Sequence, residues 1–526
     1  MTNRLRPRAL AALTFMILLA IVMLLVAPTA PGSPGGLQGE AGASSLLPSS
    51  DQPVQASNTP PNIVLIVTDD QPVGYERYMP RTSQIFGTSG VSYTNAHSLT
   101  STCCPSRATL LTGYGSPKTG VWTNWAPYGG WEAFVQNRWE DRTIASALDK
   151  RGYRTALIGK YLNGYDIPET RKQMTGNANW IPPGWDYWYA IQKKADVSDG
   201  RYYDYGVIHR AEGMKTPKIL NFGKDPSHYS TDVFGQQAVN TILNTPAKTP
   251  LFMMWTPSAP HKPFVAPPNI KGTVSPTPVA PSTLNQMSGK PPWISSRPGV
   301  TANASVSLQR QQVRTLLGVD YWVGQISDTL KKTNRWNNTI FIYVSDNGFF
   351  TGQYGLLEMK NHPHTASTNV PLHVVAPTLR TKAGSKDNRL VTLADIPTTI
   401  AAAAGLDISA MDGLPLDRPM ATWREGALVT GWRNRGTDPA GNQPSYCAWR
   451  NTRWLFIQYA AEKNGQGYRE MYDLLKDPGG VTNLAGRPEV AEAERALADQ
   501  TQAACNPLPP DFTWPTQVLI PLQSRR

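Results

Sequence analysis

The chain sets a thiol, an arginine and a proline close together in Cys103-Cys104-Pro105-Ser106-Arg107-Ala108-Thr109-Leu110-Leu111-Thr112-Gly113. The fixed φ of Pro105 suits the first position of a helix, and no further proline follows in the stretch, so its first residues are expected at a helix N-terminus. That end attracts anions. A cysteine placed there has three readings: a low-pKa nucleophile, half of a disulfide, or a small buried hydrophobe. Two further groups could do chemistry. Asp69-Asp70 and Asp346-Asn347 offer oxygen donors with no thiol or imidazole among them, a set that suits a hard cation, Ca²⁺ or Mg²⁺, and fits zinc poorly. Taken singly, a carboxylate after a strand is more often a turn or cap residue. His261, in Ala259-Pro260-His261-Lys262-Pro263-Phe264, is a candidate proton donor.

These residues need elements that bring them to one place. Asn62 to Val67 is a continuous apolar, β-branched run, the mark of a parallel strand buried on both faces, and Asp69-Asp70 follow at once. The arrangement recurs: Tyr153 to Ile158 runs into Gly159-Lys160, Leu251 to Trp255 leads to His261, and Ile340 to Val344 ends at Asp346-Asn347. In open α/β sheets ligands bind beyond the carboxyl ends of the strands, so one site is expected there. Helical patterns intervene at Thr143 to Arg151, at Thr231 to Leu243, and at Ser305 to Lys332 with Val313, Leu316, Leu317, Val323, Ile326 and Leu330 on one side.

The pattern C-x-P-S-R-x-x-x-L-T-G resembles, at every fixed position, the signature of the type I sulfatases, whose first cysteine a separate formylglycine-generating enzyme oxidises to Cα-formylglycine. Here that is Cys103. The resemblance runs from about Asn62 to Leu484 and is similar in detail to the N-acetylglucosamine-6-sulfatase branch. It is carried there by Gly159-Lys160-Tyr161-Leu162-Asn163-Gly164-Tyr165, by Pro183-Gly184-Trp185-Asp186-Tyr187-Trp188-Tyr189-Ala190, by Ser345-Asp346-Asn347-Gly348 and by Tyr472-Asp473-Leu474. It implies an alkaline-phosphatase-like α/β fold, a mixed or parallel sheet sandwiched by helices. It also implies calcium held by Asp69, Asp70, Asp346, Asn347 and the modified residue 103, with Mg²⁺ the other candidate. Arg107, Lys160 and Lys360 would clamp sulfate, and His261 would protonate the departing oxygen. The implied substrate is a sulfate monoester on a sugar or polysaccharide. Phosphodiester or phosphonate hydrolysis on the same scaffold is the rival reading, and a non-catalytic protein that binds sulfated glycans is another. The chain departs from the common pattern at Leu162 and Phe350, where many sulfatases carry histidine, and at His364-Thr365, where a Tyr-Glu pair is usual.

At 526 residues the chain is too long for one compact core. A catalytic domain is expected at 61–424, a small C-terminal α+β domain with an antiparallel sheet at 425–510, and an irregular Pro-rich tail at 511–526. In the small domain Ala427 to Trp432, Ser445 to Trp449 and Trp454 to Tyr459 read as strands and Glu489 to Thr501 as a helix across them. Pro263 to Gly299 reads as an irregular surface excursion. Arg4, Arg6 and Arg8 precede an apolar run from Ala9 to Ala27, so residues 1–30 read as a signal peptide or signal anchor. Residues 31–60, rich in Pro, Gly and Ser, read as a linker. The protein is therefore expected to be exported, either secreted or held at the cell surface by that segment. The formal net charge of +12 favours acidic partners, but no nucleic-acid motif appears and none is expected as a partner. With Cys103 modified and Cys104 assigned to the motif, Cys447 and Cys505 are expected to pair, as export permits.

Overall fold

The computed structural model describes residues 59–194, 200–270, 278–376, 383–433 and 443–520. The apolar run near the N-terminus and nearly all of the linker lie outside the described residues, as does part of the 263–299 excursion. No helix among the described residues is long and apolar enough to cross a membrane.

The expected strands form as β1 (Asn62–Thr68), β2 (Arg154–Gly159), β3 (Leu251–Thr256) and β4 (Thr339–Ser345). They are the parallel centre, in the order β4-β1-β3-β2, of a ten-stranded sheet whose flanks are mixed. Register sets the site. Thr68 pairs with Ser345 and Gly159 with Thr256, so the residues that follow all emerge at one edge. Along β1 the side chains alternate between two cores, Ile63, Leu65 and Val67 on one face and Val64 and Ile66 on the other. α1 (Cys103–Thr112), buried at every position, covers the first face. α2 (Ser230–Leu243) and α3 (Ala302–Lys332) cover the second. α3 is capped by the Thr301 hydroxyl, which accepts from Ala304 N at 3.1 Å. It buries Val313, Leu316, Val323, Ile326 and Leu330 as expected, with Val319 added and Leu317 only half-buried.

A separate, smaller sheet comprises β5 (Gly426–Gly431), β6 (Tyr446–Asn451), β7 (Trp454–Tyr459) and β8 (Gln466–Asp473), antiparallel neighbour to neighbour, with α4 (Ala491–Ala504) against β6 and β7. The molecule is thus an α/β sandwich with a small antiparallel-sheet domain. Two parts of this region depart from expectation. The tail is not wholly irregular, since β9 (Gln517–Leu519) pairs in parallel with β8. The 263–299 excursion is not only a surface feature. Trp293 and Ile294 enter the core of the small sheet, and buried Lys290 sits 4.1 and 4.0 Å from the ring centres of Tyr354 and Tyr472. Its Nζ donates to Tyr472 Oη at 2.7 Å and to Gly480 O at 2.6 Å, with Glu470 at 3.9 Å. One lysine and two apolar side chains carry this packing, too few to stand out in a stretch dominated by Pro, Ser and Thr.

Cys447 and Cys505 form a disulfide that pins the end of α4 to β6. It spans 58 residues of sequence, and on a chain-entropy account such a loop is worth about 4 kcal/mol. Cys505→Ala is therefore expected to lower the urea midpoint markedly and to remove the midpoint's sensitivity to dithiothreitol. An unchanged midpoint would mean that the bond does not constrain the unfolded chain.

Candidate active site

The ends of the central strands are bonded to one another before any side chain is considered. Asp346 N donates to Thr68 O at 3.0 Å, Asp69 N to Ala259 O at 3.1 Å and Lys160 N to Thr256 O at 2.9 Å. At the β2 end Gly159 has φ 120°, and a Cβ there would lie 2.1 Å from Thr256 O, so only glycine lets the chain turn Lys160 inward. Asp70 adopts φ 67°, unusual for a residue with a Cβ. This directs its N–H to Asp346 Oδ1 at 3.1 Å.

α1 begins two residues earlier than the proline suggested. Cys103 opens the helix, and Pro105 stands in the first turn, where its missing N–H has no intrahelical partner to lose. Cys103 Sγ lies 3.3 Å from Asp69 Oδ1 and 2.8 Å from Lys360 Nζ. Lys360 also donates to Asp70, as does Asn347 Nδ2 at 2.7 Å to the same oxygen. Lys160 Nζ reaches Asp69 Oδ2 at 2.7 Å. Arg107, one turn into α1, donates through Nε to Asp346 Oδ2 at 2.9 Å and through Nη1 to Lys160 O at 3.1 Å. His261 Nε2 stands 3.5 Å from Asp70 Oδ2, while its Nδ1 donates to Lys262 O at 2.8 Å. Every residue singled out for chemistry in the sequence is therefore drawn into one cluster.

Burial and mutual charge set the ionisation of this cluster. For Asp69 burial works upward, yet Lys160, His261 and Arg107 together hold the carboxyl well below its ordinary range. Asp70 is lowered likewise, against its burial, by Lys360 and His261. Asp346 differs. Burial, and then Asp69, raise it to about 6 despite Arg107. The Cys103 thiol is pushed up to about 12 by burial and by Asp69, so the unmodified thiol is not the low-pKa nucleophile that its helix end allowed. Burial, and then Arg201, bring His261 down to about 3.

Asp69, Asp70, Asp346 and Cys103 each present a ligand atom within 4.8 Å of the others. The buried Oδ1 of Asn347 faces no hydrogen-bond partner among the described residues. Three carboxylates and an unmatched carbonyl oxygen in one pocket fit a hard cation.

The departures from the common pattern turn away from the cluster. Leu162 is in the main core, Phe350 packs edge-on against His362 at 5.4 Å, and His364 Nε2 lies 3.3 Å from Glu470 in the small-sheet core. Two residues at the site were not singled out in the sequence. Asn124 Oδ1 accepts from Cys104 N at 2.8 Å, a helix cap supplied from another loop, and Arg201 bears on His261. Nothing local marks either one, because each acts only through tertiary contact.

The sequence matches the family model described as Sulfatase over residues 61–406. It is 30% identical over 471 residues to human N-acetylglucosamine-6-sulfatase, an alignment covering 82% of this chain and 82% of that protein. Among solved structures, that of a protein in complex with its substrate D-glucosamine-2-N,6-O-disulfate superposes with a TM-score of 0.70 at 21% identity, covering 85% of this chain and 98% of the other. A phosphonate monoester hydrolase of Agrobacterium radiobacter shares the fold, with a TM-score of 0.63 at 20% identity over 84% of this chain and 94% of its own. A sequence signature complete at every fixed position, a strand-end cluster built around it and a family match spanning most of the chain agree: this protein is a sulfuric ester hydrolase that belongs to the sulfatase family.

Proposed function

We propose that the chain hydrolyses sulfate monoesters carried on a sugar, as in a glycosaminoglycan-like polymer, using formylglycine at position 103 and a calcium ion. The observation that carries this reading is the position of Cys103 Sγ, set between carboxylates and a lysine within a buried cluster of paired charges. A hydrated formylglycine there would supply the attacking oxygen. A calcium ion held by Asp69, Asp70, Asp346 and Asn347 would supply positive charge opposite the sulfate oxygens. Arg107, Lys160 and Lys360 orient those oxygens, and α1 directs its N-terminus at the same point. His261 keeps Nδ1 on the Lys262 carbonyl and offers Nε2 to the leaving oxygen. The arriving negative charge favours its protonated form. Similarity to N-acetylglucosamine-6-sulfatase supports an amino-sugar substrate. The basic, apolar N-terminal segment and the disulfide support action outside the cytoplasm after maturation by a formylglycine-generating enzyme, with the segment as a membrane anchor if it is retained.

Peptide mass spectrometry of active protein from its native host is expected to find formylglycine at 103 and an intact Cys104. Cys103→Ala should lower kcat by on the order of 10⁴-fold or more. Fully active protein with unmodified Cys103 would refute the mechanism. Chelation should abolish activity and lower the melting temperature, with Ca²⁺ or Mg²⁺ restoring both, and restoration by Zn²⁺ alone would contradict the hard-cation assignment. The clamp does not by itself reject phosphate, so kcat/KM is expected to be higher for sulfate monoesters than for matched phosphate mono- and diesters. Preference for a phosphodiester or phosphonate would favour the rival reading. His261→Ala should slow sugar sulfates by about 10²- to 10⁴-fold and activated aryl sulfates much less.

A further inference from the structure

Within the cluster, Lys360 and His261 keep the most exposure, 17% and 13%, against 7% for Lys160 and none for Asp69 and Asp346. The organic part of a bound ester must therefore leave on the side of Lys360 and His261. Three aromatic side chains, Trp125, Tyr128 and Trp432, belong to segments whose hydrogen bonds lead to Cys104 and to the residue after Lys360.

The first support is the loop from Trp122 to Gly130. Trp122 N donates to Tyr128 O at 2.7 Å and Gly130 N to Thr123 O at 2.9 Å. Gly129 lets the two arms approach closely, since a Cβ there would fall 2.0 Å from Thr123 O. Asn124 of this loop caps α1 beside Cys103. The next residue, Trp125, lines a narrow cleft together with Lys160 and Ser258, and Lys193 Nζ lies 5.4 Å from its ring centre. Tyr128, at the loop tip, is 40% exposed and meets the Trp432 ring edge-on at 5.5 Å. The second support is Trp432 itself, just past β5. Its carbonyl accepts from Asn361 Nδ2 at 3.3 Å, and Asn361 directly follows Lys360. Its indole Nε1 is buried and has no partner among the described residues. The circuit runs from Cys103 through Asn124 and Trp125 to Tyr128, then Trp432, Asn361 and back to Lys360.

We propose that Trp125, Tyr128 and Trp432 form an aromatic collar that grips the sugar ring bearing the scissile sulfate. The inference rests on the sulfated-sugar reading and adds to it the residues that hold the sugar. A pyranose suits the collar because it joins an apolar C–H face, which packs on aromatic rings, to hydroxyls that an indole N–H or a Tyr hydroxyl can meet. A flat aryl or simple alkyl group could fill the same space, but it would bring no hydroxyls to the polar tips of the collar.

The test uses the full-length, matured enzyme, with a 6-O-sulfated N-acetylhexosamine as substrate, and with inorganic sulfate and the desulfated hexosamine as competing inhibitors. Tyr128→Ala and Trp432→Ala are expected to raise KM for the sugar sulfate and to weaken inhibition by the desulfated sugar, each by roughly tenfold, with kcat within about twofold. Inhibition by inorganic sulfate should be unchanged, because that anion sits below the collar. Tyr128→Phe and Trp432→Phe should keep most of the affinity, which guards against a general loss of folding. An unchanged KM in both alanine variants would overturn the collar, as would equal weakening of inorganic sulfate and sugar. Wild-type enzyme that turns over aryl sulfates but no sugar sulfate would overturn it too, and would locate the failure in the sugar reading; wild type active on no sulfate ester would defeat the sulfatase mechanism itself.

Discussion

Charge buried at the carboxyl edge of the sheet is the constraint to which the rest of the structure answers. Asp69, Asp70 and Asp346 are almost wholly removed from water, and isolated carboxylates there would be prohibitively costly. They are held by Arg107, Lys160 and Lys360, which come from α1, from the end of β2 and from the segment after β4. No single element can satisfy the group. The sheet must bring β1, β2 and β4 into register, and α1 must lie across one face with its first turn at the same edge. The two apolar cores hold that register, and the polar cluster gives it a purpose. Pairs like Arg107 and Asp346 are weak evidence for stability but strong evidence for a fixed arrangement of charge.

How much of this could be read in the chain beforehand follows from how local each signal is. A parallel strand buried on both faces must be apolar without interruption, so β1, β3 and β4 declared themselves, and the polar residues just past them marked the site edge. The Cys103 motif concentrates its meaning in one short helix. β8 did not declare itself: its sequence, from Gln466 to Asp473, mixes Arg, Glu and Tyr, and Glu470 is fully buried only because His364, Tyr459 and Lys290 meet it from distant parts of the chain. The buried role of Lys290, the cap from Asn124 and the bearing of Arg201 on His261 are likewise properties of the assembled fold. No window of sequence contains them.

The small domain is more than an appendage to the catalytic sheet. Thr430 N, in β5, donates to Leu99 O at 2.8 Å, and its hydroxyl meets that of Thr100 at 3.1 Å, a few residues before Cys103. From the other side, Gln443 Nε2 donates to Asn361 O at 2.8 Å, next to Lys360. The two ends of the catalytic constellation are thus braced by one sheet, and a shift of that sheet would move the thiol position and the clamp lysine together. His364 belongs to this bracing through Glu470.

The short β9 has a consequence beyond the active site. By pairing in parallel with β8 it covers the backbone donors and acceptors along part of the small sheet's edge. A chain cut before Gln517 would leave that stretch of β8 unpaired, beside aromatic residues such as Tyr468 and Trp293. Such an edge is a template for strand addition by another molecule. The last strand therefore protects the protein against self-association, and trimming the C-terminus for expression would trade a few residues for a tendency to aggregate.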